Sequence, residues 1–407
     1  MFQNSYNRGP KSRGSSFSRG SNFGRRPMQS ARPRFRGSYI SPDKFINKGV
    51  VLQSQAPYTP THQFSDFGLD GALLRNVRAH NYQTPTPIQD QAIVPISEGR
   101  DFVGLANTGT GKTAAFLLPI INRLLNNQCR GTVLIIVPTR ELAIQIDQEW
   151  RAFTYGLRLY SCVCVGGANM QRQISNLFRN PQVVIGTPGR LKDLQTRGFL
   201  KLEFVSILVL DEADRMLDMG FSKDINHLVD LIPTERQTLC FSATTSPNIQ
   251  LLINKIVKDA VTVSVKSTET SDHIDQDVVE YETAEHKLEL LLGMMGRGAF
   301  EKVLIFGETK HGVQRLSEKL IEKGVSAEAI HGNKSQPQRQ RALAAFKNNV
   351  VRALVATDVA ARGLDIPNVS HVINFDQPNN YDDYIHRIGR TGRAGKSGNA
   401  LTFIPKR

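Results

Sequence analysis

Short β-branched runs that stay apolar to their last residue and then stop on a polar or turn residue recur along most of this chain. "GTVLIIVPT" (131–139), "PQVVIGTP" (181–188), "FVSILVLDEAD" (204–214) and "RQTLCFSAT" (236–244) are four of them. A strand with one wet face alternates in polarity, whereas a run that does not alternate is buried on both faces, as in a parallel sheet covered by helices. After the apolar density falls around 264–277, a second series follows: "KVLIFGET", "SAEAIHG", "RALVATD", "HVINFDQP" and "NALTFIP", with a helix through "VQRLSEKLIEKG" that Gly324 closes. At 407 residues the chain also exceeds the size at which one hydrophobic core keeps growing. The expected architecture is α/β, two tandem parallel-sheet domains at 61–263 and 278–407, joined by a linker at 264–277 and preceded by a disordered basic arm at 1–60.

Charge is spread unevenly over that plan. The formal net charge is +14, yet Met1–Pro42 holds nine Lys or Arg and no Asp or Glu, leaving +5 for everything after it. "NRGPKSRGSSFSRGSNFGRRP" is low-complexity, with Arg-Gly steps and Phe2, Tyr6, Phe17 and Phe23 set among them, and it cannot bury enough apolar surface to fold alone. Its arginines suit phosphates and its aromatics suit base faces, while a solvated tail without a partner is the competing reading. Gly and Pro recur too often for the amphipathic helix of a transit peptide. Four scattered cysteines, Cys129, Cys162, Cys164 and Cys240, make neither a disulfide framework nor a C-x-x-C zinc pair and read as buried thiols of a reducing compartment. No apolar window is long enough for a transmembrane helix. The expectation is a cytoplasmic protein, or a nuclear one in a eukaryote, that is neither secreted nor membrane-bound.

In open parallel sheets, ligands bind beyond the carboxyl ends of the strands, and two such ends here carry recognisable chemistry. "RDFVGLA" reads as a strand and "KTAAFLLPIINRLL" as a helix, with "ANTGTGKT" (106–113) between them. A glycine-rich turn into a helix N-terminus surrounds phosphate oxygens with N–H groups. Lys112 would reach the β and γ phosphates and Thr113 would place its hydroxyl on Mg²⁺. Ala106 stands where the motif has its first glycine, a substitution that a negative φ tolerates. "ILVLDEAD" then ends a second strand in Asp211 and Glu212, where a phosphate-loop enzyme needs one carboxylate for metal and one for water.

The set of motifs resembles the DEAD-box RNA helicases across roughly 61–407. They run in order: "PTPIQ" (85–89), "ANTGTGKT", "PTREL" (138–142), "GG" (166–167), "TPGR" (187–190), "DEAD" (211–214), "SAT" (242–244), "ATDVAARGLD" (356–365) and "HRIGRTGR" (386–393). The resemblance implies two RecA-like domains that bind ATP and Mg²⁺ in the cleft between them. Phe64, Tyr82 and Gln89 would hold the adenine. Ala106, Asn107, Thr108, Gly109, Thr110, Gly111, Lys112 and Thr113 would hold the phosphates. Asp211 would hold the metal through water, and Glu212 would act on the attacking water. Asp214, Ser242, Thr244 and His386 would couple hydrolysis to domain movement. From the second domain, Asp365 would approach the ribose, and Arg390 and Arg393 the γ-phosphate. Single-stranded or short duplex RNA would lie, largely without sequence preference, on Arg140, Gly167, Thr187, Gly189, Arg190, Gly332, Gln336, Arg339 and Thr357. The implied activity is an RNA-dependent ATPase that unwinds short duplexes, with an ATP-gated RNA clamp that serves as an assembly platform as the alternative. Protein regulators would fit either, and no disulfide partner or membrane is expected. Gly307 departs from the family, which usually has a polar residue there. With "NALTFIPKR" so near the last residue, no C-terminal targeting extension is expected either.

Overall fold

The computed structural model describes residues 40–47, 58–107, 109–129, 131–265, 274–361, 366, 368–392 and 398–406. Two sheets organise them. The first contains β1 (Phe102–Ala106), β2 (Thr132–Ile136), β3 (Ser161–Cys164), β4 (Val183–Gly186), β5 (Val205–Leu210), β6 (Gln237–Ser242) and β7 (Val261–Val265). They lie in the order β3-β4-β2-β5-β6-β1-β7, and every pairing is parallel. The second sheet contains β8 (Ile274–Tyr281), β9 (Val303–Phe306), β10 (Ala327–Ile330), β11 (Ala353–Ala356), β12 (His371–Asn374) and β13 (Gly398–Pro405), in the order β10-β11-β9-β12-β13-β8, again all parallel.

The apolar runs explain this arrangement. β1, β4 and β6 are buried at every position, β2 and β5 at all but one, because each sheet has a hydrophobic cluster on both faces. Phe116, Trp150, Phe153 and Phe241 fill one face of the first sheet, while Leu134, Leu208, Leu210 and Met216 fill the other. The helix Lys112–Leu125 and the helix Lys310–Glu322 stand where the sequence places them.

Two boundaries differ from the expected ones. The linker narrows to 266–273, because β7 continues to Val265 and β8 begins at Ile274. Within the stretch expected to be a disordered arm, Ile40–Asn47 is ordered: Pro42–Phe45 forms a 3-10 turn, and Phe45 is completely buried. Tyr58–Pro60 are described too, with the Tyr58 hydroxyl donating to Asp90, and the rest of the expected arm, 1–39 and 48–57, lies outside the described residues. Cys162, Cys164 and Cys240 are buried free thiols and Cys129 a partly buried one. Among the described residues no helix is long and apolar enough to cross a membrane.

Candidate active site

The strand order sorts the motifs into two halves of the first sheet. The carboxyl ends of β1, β5 and β6, which are neighbours, deliver the phosphate loop, the acidic turn and "SAT"; those of β2, β3 and β4 deliver Arg140, Gly167 and Thr187–Arg190. One half therefore gathers nucleotide chemistry and the other gathers cations and tight turns.

Lys112 opens its helix, is almost fully buried, donates from Nζ to the Ala106 carbonyl at 2.9 Å and stands 4.0 Å from Asp211 Oδ1. Burial pushes the Asp211 carboxyl up to about 6, against the pull of the Lys112 ammonium. Gly111 adopts φ +93°, and a Cβ there would lie 2.5 Å from Gln89 Nε2, so the loop requires glycine twice over, for its conformation and for the close approach. Gln89 is buried, with Oε1 accepting from the Thr86 N–H at 3.0 Å and Nε2 donating to the Gly111 carbonyl at 3.1 Å. Its amide thus braces the phosphate loop against the "PTPIQ" turn. Phe64, Tyr82, Gln63, Ser65, Arg78 and Gln83 line a cavity of about 290 Å³. Phe64 meets Tyr82 edge-on at 6.0 Å, its ring mostly covered by the core. Asn107, Gly109, Thr110 and Thr113 complete the loop, with Thr110 Oγ1 donating to the Asn107 carbonyl. Thr108, Asp365 and Arg393 lie outside the described residues.

Glu212 is a non-glycine residue in the left-handed region, φ 55° and ψ 50°. Such a conformation costs about 1–3 kcal/mol and persists where surroundings over-determine it. Here the Glu212 N–H donates to Asp211 Oδ1 at 2.9 Å, and the Glu212 carboxylate lies 3.6 Å from Arg215. Two residues on, Asp214 Oδ2 accepts the N–H groups of Ala243 and Thr244, both at 2.9 Å, while Ser242 Oγ donates to the Thr244 carbonyl. The acidic turn and the "SAT" turn are therefore one hydrogen-bonded unit.

The second domain meets that unit directly. Asn107, Arg215 and Ala243 share a small cavity with Ile385, His386, Gly389 and Arg390. His386 is pushed down to about 4, chiefly by burial and then by Arg215 and Arg390, against the opposite pull of Asp214 and Glu212. Arg390 is buried beside it. Arg387 and Asp358 stand inside the motifs at 386–393 and 356–365, but nothing in the sequence marks them as partners. Arg387 makes a two-pronged pair with Asp358 at 2.6 and 2.7 Å, donates to Asn374 and the Asp376 carbonyl, and lies over the Phe306 ring.

On the other half, Arg140 lies so close to Gly166 and Gly167 that a Cβ on Gly167, whose φ is +72°, would collide with its guanidinium. Arg190 donates to Gln173 Oε1 at 3.0 Å, from a helix that starts at Pro188 and is preceded by Thr187, with Gly189 in its first turn. Gly332 and Thr357 follow β10 and β11, which are adjacent. Gln336 and Arg339, expected on RNA, converge on Glu141 of the first domain: Arg339 Nη2 is 2.8 Å and Gln336 Nε2 3.3 Å from its carboxylate, and all three are buried. Nothing in "PTREL" read alone distinguishes Glu141 from a solvated first-turn acid.

Residues 86–252 match the family model described as DEAD/DEAH box helicase, and residues 286–395 the one described as Helicase conserved C-terminal domain. Over 343 residues, 84% of this chain and 69% of the other, the sequence is 45% identical to the ATP-dependent RNA helicase CshA of Limosilactobacillus reuteri. Among solved structures, S. cerevisiae Dbp5 bound to RNA and ADP BeF3 superposes with a TM-score of 0.75 at 31% identity, covering 84% of this chain and 90% of that one. Mss116p bound to ssRNA and AMP-PNP superposes with a TM-score of 0.75 at 33% identity, covering 83% and 73%.

Proposed function

The chain belongs to the DEAD-box helicases, and we propose that RNA-stimulated ATP hydrolysis in its interdomain cleft drives local unwinding and remodelling of RNA. The observation that carries this is the contact between the acidic turn and the second domain: Glu212, Asp214 and Arg215 on one side, His386 and Arg390 on the other. Arg215 of the phosphate-loop domain faces Glu212, and Arg390 reaches the same cavity only from the second domain, so in this reading turnover depends on domain closure.

In this reading the loop N–H groups and Lys112 bind the phosphates, and the cavity beside Phe64 and Tyr82 takes the adenine. Gln89 reads the adenine edge in exchange for its bond to Gly111. Glu212 accepts a proton from the attacking water, and Arg390, with Arg393, stabilises charge on the transferring phosphoryl group. Asp365 approaches the ribose. Asp211 and Thr113 suit Mg²⁺: burial and the neighbouring Glu212 raise the Asp211 carboxyl despite Lys112, so a further cation would be favoured there, and an ion that keeps several waters needs few protein ligands. When bound, that ion neutralises charge on the β and γ phosphates. Among the described residues there is no group of three metal-ligating side chains, which a site of this kind does not require.

Asp214 carries movement of the acidic turn to Thr244 and Ser242, and His386 carries it to the second domain. Arg140, Gly167, Thr187, Gly189 and Arg190, with Gly332, Gln336, Arg339 and Thr357, offer N–H groups and cations to an RNA backbone, which positions a strand without reading its sequence. Glu141 gathers Gln336 and Arg339 toward the first domain as that surface assembles. ATP turnover measured with RNA and with DNA of equal sequence tests the proposal. RNA is expected to stimulate strongly and DNA weakly, and equal stimulation would overturn it.

A further inference from the structure

Residues that precede the first domain in sequence are packed onto the second. Phe45 is buried in a cluster with Ile274, Tyr384, Ile388, Ala400 and Ile404, all of the second domain, and meets the Tyr384 ring edge-on at 4.8 Å. Asn47 extends the contact as a lone antiparallel bridge to the edge strand β8, its N–H and carbonyl pairing with Gln276 at 3.1 and 2.8 Å. Gln276 in turn accepts the Tyr384 hydroxyl at 2.9 Å, and Lys44 lies over the Tyr381 ring. Apolar burial, paired backbone and a cation over an aromatic ring make this a built contact. It also occupies a telling face. Tyr381, Tyr384 and Ile388 recur at three- and four-residue steps on the helix Tyr381–Ile388, whereas His386 and Arg387 lie on its cleft side and Arg390 follows it.

The first domain is thus held to the second at both of its ends. Eight residues, 266–273, separate β7 from β8, and ten residues, 48–57, separate Asn47 from Tyr58. Fully extended, they reach about 28 Å and about 35 Å. We propose that Ile40–Asn47 is an anchor that makes the chain before the first domain a second interdomain tether, seated behind the helix that bears His386. By limiting how far the domains separate, the tether raises the effective concentration of the second domain at the cleft. The effect on RNA needed for turnover follows from chain length, since effective concentration falls with roughly the −3/2 power of tether length. The inference rests on the reading of the cleft as an RNA-stimulated ATPase.

The test lengthens the tether and leaves the anchor intact. Inserting about thirty Gly and Ser residues after Val51 makes the tether about fourfold longer and lowers its effective concentration about eightfold. With poly(U) as the RNA, half-maximal ATPase stimulation is expected at an RNA concentration about two- to eightfold higher, the remaining linker limiting the change. RNA-saturated kcat and Tm are expected to match wild type, and a merely structural contact, intact in this variant, would leave half-saturation unmoved as well. Phe45→Asp, which releases the anchor itself, should raise half-saturation in the same direction; if it fails to fold, the insertion decides alone. An insertion variant with wild-type half-saturation would overturn the tether. Wild-type protein without RNA-stimulated turnover would instead sink the reading of the cleft.

Discussion

At Glu212 the left-handed backbone and the bond to Asp211 hold a carboxylate in a buried turn, where it serves as a base only if it stays charged. Glu212→Gln preserves the shape and can still accept from Arg215, but cannot take a proton. ATP affinity should hold while kcat falls about 10² to 10⁴-fold, the range for loss of a general base; single-turnover hydrolysis beside nucleotide binding checks it, and near-normal kcat would reassign the residue. Arg390 makes the complementary case. In the proposed function its contact with the phosphoryl group forms only when the second domain meets the acidic turn, so Arg390→Lys should leave ATP binding intact and lower kcat by about 10³ or more, because an ammonium cannot reproduce the planar fork. Retained turnover in that variant would mean that charge alone suffices there. The motifs that hold Glu212 and Arg390 were legible in the sequence because they set residue types at fixed spacing, and the roles proposed for the two residues are what these variants test. Glu141 and Arg387 were not legible, since what marks them is burial against a partner 198 and 29 positions away in the chain.

The helix Tyr381–Ile388 has Phe45 packed behind it and the acidic turn in front. His386 titrates near its ordinary value of 6.5 when exposed and near 4 in the packed arrangement, because burial and the cations Arg215 and Arg390 outweigh Asp214 and Glu212. Packing therefore releases a proton anywhere between those values. The stabilisation is fully present above 6.5 and is lost progressively as pH falls toward 4. Lowering pH from about 7.5 to about 5.5 should raise the RNA concentration for half-maximal ATPase, by up to roughly tenfold per unit below the exposed value. The same titration on His386→Asn should be flatter, and an equal slope in both proteins would remove His386 as its source. The strands of both sheets were legible from their unbroken apolar runs, because burial on two faces leaves no alternation to misread. The anchor was not: Ile40 and Phe45 are two apolar residues at the end of a low-complexity stretch, and the cluster that buries them is built from positions 274–404.

For the whole molecule, charge and architecture separate along the chain. The nine Lys or Arg of Met1–Gly37 carry most of the formal +14, while every cleft residue and the anchor come later. Truncation through Pro42 would cut the 3-10 turn that seats Phe45 and confuse two effects, so the informative deletion stops at Gly37. Removing Met1–Gly37 should leave RNA-saturated kcat unchanged, since no proposed ATP contact is lost, and should weaken RNA binding, largely through lost phosphate contacts. Each single-strand phosphate contact contributes about −0.7 to the slope of log K against log salt, so a segment making several of them steepens that slope by several units. Deletion should flatten the slope and weaken RNAs of different sequence about equally, because Arg-Gly segments contact backbone and stacked base faces. A salt titration of RNA binding by full-length and truncated protein measures both. An identical slope would make the arm a solvated tail, and a loss confined to one RNA would make it a sequence reader; either result removes the electrostatic account. The tether predicts a different signature, a shift in half-saturation whose size depends on linker length and hardly on salt, so the two N-terminal roles are separable in one set of titrations.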